Sequence, residues 1–448
     1  MAEPIISVSG LRGVIGESLC PLTAMRYVAA FSAIAPEGEI LVARDGRESG
    51  RMLADAVHAA LNALGRTTVD ADVLPTPTTG VLLRRLGCAG GVQITASHNP
   101  MQYNGLKLFS AEGRVVPNAL GARILQAYRE GDIRWVSHWD IGDRTTCSET
   151  HDHHLLAILK RVDVERIRQR RFRVLLDANH GAGAALGERL LESLGCDVTV
   201  LGGLADGRFD HPPEPLAENV VSVCQAVAQH KVDAGFCQDP DADRLALIDE
   251  TGRYIGEEYT VAICINHVLQ RERGPIVVNC ASSRVNEDIA RRYGVPLFRS
   301  AVGEANVVDC MLEHRAVFGG EGNGGPIDPK VGLVRDSFVG MALVLDAMAA
   351  RNMKLSQLAD ELPRYHIVKS KVTVPPEKVP AALDALEKHF ADAVPDKLDG
   401  LRLDWPDRWL LVRPSNTEPV VRAIAEAPSA EQARQLSNAA AEILKRHG

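Results

Sequence analysis

The chain has 448 residues, of which 46% are hydrophobic and 24% charged, with a net charge of −8 and a pI near 6.0. This globular composition suits about three domains, and the acidity argues against a nucleic acid as the main partner. The sequence has no run of about 18 apolar residues, the length needed to span a membrane, and the stretch MAEPIISVSG lacks a secretory signal pattern. We therefore expect a cytoplasmic protein without a membrane partner. Nine scattered cysteines without a C-x-x-C pair predict reduced, buried thiols.

Three segments repeat one pattern, an apolar strand, a polar loop, a helix, a glycine and a second strand. They begin with EILVARDGRESG at 39–50, FRVLLDANHGAG at 172–183 and GPIVVNCASS at 274–283. This rhythm predicts mainly parallel sheets, and its recurrence predicts three similar α/β domains. The last segment combines strands with amphipathic helices, the final one capped by Ser429, and predicts a smaller α+β domain.

Polar stretches between these patterns mark the expected domain boundaries. We expect α/β domains over 1–148, 149–252 and 253–364, and a C-terminal α+β domain over 365–448. HDHH at 151–154 lies in one such stretch, and we interpret its histidines as solvated rather than as metal ligands.

The first loop that could carry chemistry is TASHNP, which places Ser97 and His98 after the apolar run GVQI. A hydroxyl needs a base or a cation to act as a nucleophile, and Lys107 follows on YNGLKLF, which reads as a return strand. At a helix N-terminus, free N–H groups would suit a phosphoryl group on Ser97. The loop alone equally allows Ser97 to be only a turn or N-cap residue.

The second loop is QDPDADRLALID at 238–249, which spaces Asp239, Asp241 and Asp243 two residues apart after the strand-like VDAGFC. Such a loop can turn all three carboxylates one way, as oxygen ligands for a hard cation such as Mg²⁺. Ligand sites in open α/β sheets lie at the C-terminal ends of strands, where this loop falls. A solvated acidic loop is the alternative, and an EF-hand is disfavoured because LALID is apolar.

Two later loops could bind a sugar phosphate. GGEGNGGPI at 319–327 brackets Glu321 and Asn323 with glycines, so that both side chains could contact adjacent hydroxyls of a sugar. RPSNTEP at 413–419 offers a guanidinium, hydroxyls, an amide and turn N–H groups, a set suited to phosphate. A flexible turn and a capped β-turn are the respective alternatives. Two arginines, Arg12 in SGLRGVIG and Arg47 in ARDGRESG, could be ordinary surface residues.

Together and in this order, the loops resemble the motifs of the α-D-phosphohexomutase family of phosphoglucomutases, phosphomannomutases and phosphoglucosamine mutases. The matching motifs are SGLRG, ARDGRESG, TASHNP, YNGLK, DPDADR, GGEGNGG and RPSNTEP. The resemblance covers essentially the whole chain, and TASHNP with DPDADR is a highly specific combination. It implies three alike mixed-sheet α/β domains, a smaller C-terminal α+β domain and an active site in the central cleft.

The resemblance also implies a role for each loop. Ser97 would carry a phosphoryl group, and Mg²⁺ would be held by Ser97, Asp239, Asp241 and Asp243. The transferring group would be surrounded by Arg12, Lys107 and Arg244, with Lys107 or His98 as the proton carrier. Sugar hydroxyls would be contacted by Glu321 and Asn323. The phosphate that does not react would be bound by Arg413, Ser415, Asn416 and Thr417.

The implied reaction interconverts hexose 6-phosphate and hexose 1-phosphate through a phosphoserine and a 1,6-bisphosphate, with hexose 1,6-bisphosphate as activator. The implied partner is a small sugar phosphate, and the chain would be a monomer or homodimer. Asn323 and Gly325 stand where many bacterial members carry serine and histidine, so the loop resembles the archaeal-type branch. This favours phosphoglucosamine mutase over phosphomannomutase/phosphoglucomutase. A magnesium-dependent sugar phosphatase and a non-catalytic sugar-phosphate sensor rank lower.

Overall fold

Four β-sheets follow one another along the chain in a computed structural model that describes residues 3–7, 10–414 and 420–446. The first three sheets mix parallel and antiparallel strands, and the fourth is antiparallel throughout its described strands. This confirms the predicted fold class of three mixed-sheet α/β domains and a smaller C-terminal α+β domain. The boundaries assigned to these domains remain a prediction.

The first sheet carries the TASHNP loop. Its strands are β1 Ile5–Ser7, β2 Gly10–Val14, β3 Ile40–Arg44, β4 Thr68–Val73, β5 Gly90–Ile94, β6 Tyr103–Ser110 and β7 Arg144–Thr146. Its helices are α1 Pro21–Ile34, α2 Ser49–Ala63, α3 Thr76–Leu86 and α4 Asn118–Glu130. The strand order is β1-β2-β6-β5-β3-β4-β7. The central strand β3, ILVAR, is almost entirely buried, as expected for a parallel strand covered on both faces.

The second sheet carries the aspartate loop. Its segment contains α5 Asp152–Leu159, α6 Val164–Arg170, β8 Arg173–Asp177, α7 Ala184–Ser193, β9 Asp197–Leu201, α8 Val221–His230, β10 Ala234–Gln238 and β11 Leu245–Asp249. The strand order is β11-β10-β8-β9, with β10 parallel to β8 and antiparallel to β11. The three aspartates therefore lie in the tight connection at the C-terminal end of β10.

The third sheet carries the sugar loop. Its segment contains α9 Glu257–Arg271, β12 Ile276–Asn279, α10 Val285–Tyr293, β13 Leu297–Ser300, α11 Glu304–His314, β14 Phe318–Glu321, β15 Gly325–Ile327, α12 Ser337–Arg351 and α13 Leu355–Asp360. The strand order is β13-β12-β14-β15. Helix α12, SFVGMALVLDAMAAR, is apolar on nearly every face and buried along its length. It packs against α9 and against α5, α6 and α7, so the second and third segments share one core.

The C-terminal segment forms an open antiparallel sheet covered by helices. It contains β16 His366–Thr373, a 3₁₀ turn Pro376–Lys378, α14 Val379–His389, β17 Val394–Asp396, β18 Leu401–Asp404, β19 Trp409–Pro414, β20 Val420–Ala427 and α15 Ala430–Lys445. The strand order is β16-β20-β19-β18-β17. As predicted, Ser429 caps α15, because its side chain accepts a hydrogen bond from the Gln432 N–H.

Two local expectations need correction. HDHH is only partly solvated: His154 lies on α5 and is fully buried, with its ring nitrogens 2.9 Å from Thr78 Oγ1 and 2.8 Å from Asp336 Oδ2. No helix follows Ser97, because the TASHNP loop connects the antiparallel strands β5 and β6. Two other expectations agree with the structure. All nine cysteines are free thiols, although four are buried and five only half-buried, and no helix of the described chain is both long and apolar enough to cross a bilayer.

Candidate active site

Three of the loops singled out in the sequence, TASHNP, the aspartate loop and the sugar loop, meet at one cleft of about 1340 Å³. All four sheet segments contribute to its wall, for example through Arg12, Arg244, Glu321 and Arg422. The wall also includes His98, Lys107 and Asn323. Ser97 and the three aspartates lie buried behind this wall.

Ser97 is held in an unusual backbone conformation by a buried arginine. Its φ is +49°, in the left-handed region that a residue with a side chain rarely adopts. The Arg47 Nη2 group donates hydrogen bonds to the carbonyl oxygens of Ser97 at 2.7 Å and Asn99 at 2.6 Å. Asp45 in turn accepts a hydrogen bond from Arg47 Nε at 3.1 Å. Arg47 is therefore no surface residue but the support that fixes the orientation of the Ser97 hydroxyl.

The Ser97 hydroxyl points at the aspartate loop. Its Oγ donates a hydrogen bond to Asp239 Oδ2 at 2.8 Å and lies 3.2 Å from His98 Nδ1. The residues come from different sheets, so the contact forms only when the first two segments pack together. Arg12 contacts the TASHNP loop, because its Nη1 donates a hydrogen bond to Asn99 Oδ1 at 3.1 Å.

The aspartate loop is a tight turn organised by Asp239. Its Oδ1 accepts hydrogen bonds from the backbone N–H groups of Asp243 and Arg244, both at 3.1 Å. Ala242 takes a φ of +57°, which completes the turn. As a result, one carboxylate oxygen from each of Asp239, Asp241 and Asp243 lies within 4.8 Å of the others.

Two buried cations compensate the triad Asp239, Asp241 and Asp243. Lys107 Nζ lies 2.8 Å from Asp241 Oδ2 and 2.9 Å from Asp243 Oδ2. Arg335 Nη2 lies 2.6 Å from Asp243 Oδ2. Burial raises the pKa of Asp241, but the adjacent Lys107 outweighs this and holds the pKa below its usual range. Burial and the two neighbouring carboxylates raise the pKa of Asp239.

The donor set fits a hard divalent cation. All three side chains offer oxygen, and the Ser97 oxygen lies beside them. Asp241 Oδ1 and Asp243 Oδ1 are buried and accept no hydrogen bond from the described residues. Buried oxygens normally find a partner, and a metal ion would provide one here. Thr76 Oγ1 donates to Asp241 Oδ2 at 2.6 Å, the kind of supporting contact that orients a metal ligand.

Arg335 is the main functional candidate that the sequence analysis missed. Besides Asp243, its guanidinium contacts Glu321 Oε2 at 2.8 Å and Glu304 Oε2 at 3.3 Å. It therefore links the triad to the sugar loop. Burial raises the pKa of Glu304 to about 7, even with Arg335 beside it. In the sequence, Arg335 precedes Asp336, the N-cap of α12, so the local pattern signals only a helix start.

Glu214 is a second missed residue. Its Oε1 accepts a hydrogen bond from Arg244 Nη1 at 3.2 Å and lies 4.0 Å from His98 Nε2. Burial, with Arg244 and Arg12 nearby, holds the pKa of His98 well below its usual range, so the imidazole is neutral. DGRFDHPPEP, which contains Glu214, carries no metal-ligand or nucleophile spacing that would have indicated this position.

The sugar loop presents its two polar side chains differently. Glu321 accepts hydrogen bonds from Asn279 Nδ2 at 2.7 Å and from the Gly303 N–H at 3.0 Å, in addition to Arg335. Asn323 Oδ1 is buried and accepts no hydrogen bond from the described residues. Glu321 is thus largely engaged with the protein, whereas Asn323 retains a free acceptor.

The predicted phosphate loop is described only in part. Arg413 lies at the end of β19, with Nε 3.0 Å from Asp399 Oδ2, and it is absent from the wall of the cleft. Ser415, Asn416 and Thr417 lie outside the described residues. Their assignment to phosphate binding remains a prediction.

Comparison with known proteins identifies the family of the chain. Models of the phosphoglucomutase/phosphomannomutase domains match in succession: alpha/beta/alpha domains I, II and III over 5–134, 152–252 and 257–365, and the C-terminal domain over 368–443. A phosphoglucomutase/phosphomannomutase from Thermococcus kodakarensis is 35% identical over 95% of each chain. A relative from Methanopyrus kandleri, named a probable phosphoglucosamine mutase, is 34% identical over 98% of this chain and 97% of its own.

A solved structure agrees with these sequences. The crystal structure of a phosphoglucomutase/phosphomannomutase family protein from Burkholderia thailandensis is 26% identical, with a TM-score of 0.85 over 99% of this chain and 98% of that one. These similarities agree with the order of the sheets and with the loops that meet at the cleft. The chain belongs to the phosphoglucomutase/phosphomannomutase family, the α-D-phosphohexomutases that its loops resemble.

Proposed function

We propose that the protein is a magnesium-dependent phosphohexomutase that interconverts hexose 6-phosphate and hexose 1-phosphate. Ser97 carries the phosphoryl group, a hexose 1,6-bisphosphate is the intermediate, and added bisphosphate primes the enzyme. The observation that carries the proposal is the hydrogen bond of 2.8 Å from Ser97 Oγ to Asp239, inside a buried all-oxygen cluster flanked by Lys107 and Arg335. Phosphoryl transfer depends on such positioning and on positive charge around the transferring group.

The charged groups have distinct tasks in this proposal. Burial lowers the pKa of Lys107, but Asp241 and Asp243 outweigh it and raise the pKa, so the amine stays protonated. Lys107, Arg12 and Arg244 therefore supply positive charge. The triad and a Ser97 oxygen would hold Mg²⁺, which would supply further positive charge to stabilise the transferring group.

His98 is the better candidate for the proton carrier. When a sugar hydroxyl attacks the phosphoryl group, the Ser97 Oγ–P bond breaks, the sugar O–P bond forms, and the hydroxyl proton must leave. The His98 ring lies 3.2 Å from Oγ and on the wall of the cleft, where it could accept the proton of a bound sugar hydroxyl. Lys107 is committed to two carboxylates and cannot accept a proton while charged.

Phosphoglucosamine is the substrate that we propose, with phosphomannose and phosphoglucose as the alternative. The name of the M. kandleri relative supports the first and that of the T. kodakarensis relative the second. A phosphatase with an aspartate nucleophile ranks lower, because the strained turn that aims Ser97 at the triad would have no purpose in it. The cytoplasmic location and the monomeric or homodimeric state remain predictions.

The proposal is tested by replacing the phosphoryl carrier. Ser97→Ala should lower mutase turnover by at least about a thousandfold and abolish labelling of the protein by hexose 1,6-bisphosphate, followed by mass spectrometry. Ser137→Ala, an exposed serine far from the cleft, is the control and should behave as wild type. Turnover of Ser97→Ala near the wild-type rate would show that no phosphoserine is involved.

A further inference from the structure

Helix α9 begins with two carboxylates that face the sugar loop. Glu257 and Glu258 both line the cleft. Glu258 Oε2 accepts a hydrogen bond from the Ser283 N–H at 2.9 Å. A Cβ atom added at Gly322 would collide with both carboxylate oxygens of Glu258. The Glu258 carboxylate therefore lies directly against the backbone between Glu321 and Asn323.

Glu258 has little compensating charge, because the cation that acts on it is Lys369, whose side chain is 59% exposed. Glu257 is better compensated, because Lys369 Nζ lies 3.6 Å from its Oε1 and the buried Arg244 is also near it. Glu426 faces the pair from β20 and adds a third carboxylate. Burial raises the pKa of both Glu257 and Glu258, although Lys369 opposes the shift. A buried carboxylate without a cation is costly, so this wall favours a cationic ligand.

Two acceptors in this part of the cleft have no partner among the described residues. Glu257 is 7% exposed, and its Oε2 accepts no hydrogen bond from the described residues. The same holds for Asn323 Oδ1 in the sugar loop. Glu321, by contrast, already accepts three hydrogen bonds from the protein. Of the two glutamates, Glu258 is the one whose carboxylate lies against the sugar-loop backbone, so a ring held by that loop would meet Glu258 and the free acceptor of Asn323.

We propose that Glu258, assisted by Asn323, binds the ammonium group of an amino sugar phosphate and sets the preference for 2-amino over 2-hydroxy hexose phosphates. The inference rests on the proposed function, because the cleft must first bind a hexose phosphate. An ammonium group offers three donors and a full charge, enough for both acceptors. A hydroxyl offers one donor and no charge, so it leaves one acceptor without a partner.

Substrate preference tests the proposal directly. The kcat/KM values of wild type and Glu258→Gln are measured with glucosamine 1-phosphate and glucose 1-phosphate, both with Mg²⁺ and bisphosphate. Glu258→Gln keeps the side-chain shape but removes the charge. It should lower kcat/KM at least about tenfold with the amino sugar and less than about twofold with glucose phosphate. Thermal melting of both proteins checks that the fold is retained.

The neighbouring carboxylate provides a matched control. Glu257→Gln removes a buried charge from the same turn of α9, but one that pairs with Lys369. It should change kcat/KM for the two substrates by the same factor. A pH series adds a second readout: the wild-type preference for glucosamine phosphate should fall as the substrate amine loses its proton, and Glu258→Gln should lack that fall. The charged groups that face Glu258 are Glu257, Lys369 and Glu426.

Equal losses with both substrates in Glu258→Gln would overturn the proposal and leave Glu258 as a structural residue of the interface with the C-terminal segment. A second outcome is a wild-type enzyme that forms its phosphoserine and converts glucose phosphate as efficiently as glucosamine phosphate. That result would also overturn the proposal for Glu258 but would leave the mutase function intact. Failure of the mutase function itself is different, because wild type would then convert neither sugar phosphate.

Discussion

The two ends of the cleft differ in how their buried carboxylates are neutralised. At the inner end, formed by Ser97, the triad, Lys107 and Arg335, both Asp241 and Asp243 lie within 3 Å of a buried cation. At the sugar-loop end, formed by Glu257, Glu258 and 321–323, the cation that acts on Glu258 is the exposed Lys369. Partners at the inner end lie on three different sheet segments, whereas Glu258 lies on the same segment as the loop that it contacts.

This difference separates two tasks. Transfer of a phosphoryl group needs charges that are already in place, since reorganising them during the reaction would add to the barrier. Selection of a substrate needs groups that remain unpaired until the right ligand arrives, because a wrong ligand then leaves a buried polar group unsatisfied. The inner end should therefore be sensitive to any loss of charge, and the sugar-loop end should be sensitive mainly to the identity of the ligand.

The largest effect is expected at the residue that joins both ends. Arg335→Met leaves Asp243, Glu304 and Glu321 without their shared buried cation. We expect a loss of about 3–5 kcal/mol in the free energy of unfolding, because removing the cation leaves buried carboxylates without that partner. Turnover should fall by at least about a hundredfold, since Asp243 and the sugar loop lose a common support. Urea unfolding and steady-state kinetics measure the two losses.

An exposed ion pair supplies the control for this change. Arg351 is bound to Glu361 through two contacts of 2.6 and 2.8 Å on the outside of the same segment. Arg351→Met should cost less than about 1 kcal/mol and leave turnover unchanged, because solvent screens such pairs. If both variants lost a similar free energy of unfolding, the buried contacts of Arg335 would contribute no more stability than an exposed ion pair does.

The next largest effect concerns metal affinity at the inner end. Thr76→Val keeps the side-chain shape but removes the hydrogen bond of 2.6 Å to Asp241 Oδ2. The Mg²⁺ concentration for half-maximal activity should rise about tenfold, the usual range for loss of a supporting contact to a metal ligand. Thr79→Val is the matched control, because Thr79 is also buried on α3 but bonds to Pro75 and Gln93. A direct titration of Mg²⁺ by calorimetry distinguishes weaker binding from slower chemistry.

Much of the inner end was predictable because its signals are local. Three aspartates at alternate positions after an apolar strand indicate their common direction, and the structure has them at the end of β10. The strand pattern likewise predicted β6 with Lys107 on it. The choice of partners was not predictable in this way. Arg335 lies 92 residues from Asp243, and neither residue's neighbours identify the other.

Burial of polar side chains was the other limit. HDHH looks solvated because its letters are polar, yet the helix α5 turns Leu155 and Ile158 into the core and carries His154 with them. Only the tertiary structure supplies the Thr78 and Asp336 groups that satisfy its ring. Arg47 is a similar case, since its carbonyl partners belong to a loop about 50 residues away. In both cases the missing information was a distant hydrogen-bond partner, which periodicity does not contain.

A smaller effect is expected from crowding the sugar-loop end. Gly322→Ala places a Cβ atom against the Glu258 carboxylate and should displace it. We expect KM for the sugar phosphate to rise about tenfold with a smaller change in kcat, because the inner end is untouched. Gly332→Ala is the control, since its Cβ would meet only Val81 at 3.6 Å, an ordinary contact. A large fall in kcat with unchanged KM would show that the two ends do not act separately.

A still smaller effect concerns the loop that carries Glu214 to the inner end. His211 on this loop contacts Asp177 Oδ2 through Nε2 at 2.8 Å and the Pro212 carbonyl through Nδ1 at 2.9 Å. Both ring nitrogens face oxygen acceptors, which favours the charged form of the ring. Burial lowers the pKa of His211, but Asp177 outweighs it and raises the pKa above the ordinary 6.5. The stability that this contact adds is complete below pH 6.5 and is lost as pH rises through the folded-state pKa.

The difference in unfolding free energy between wild type and His211→Gln should therefore shrink toward alkaline pH. His58 supplies a control of opposite sign, because burial lowers its pKa from 6.5 to about 4. Its contribution is complete above pH 6.5 and is lost as pH falls toward 4, by about 3 kcal/mol. Urea unfolding of wild type and both Gln variants, between pH 4 and 6.5 and above pH 6.5, measures how each difference in unfolding free energy changes with pH. If both differences shrink toward acid pH, His211 is neutral in the fold, and Asp177 does not hold the Glu214 loop through an ion pair.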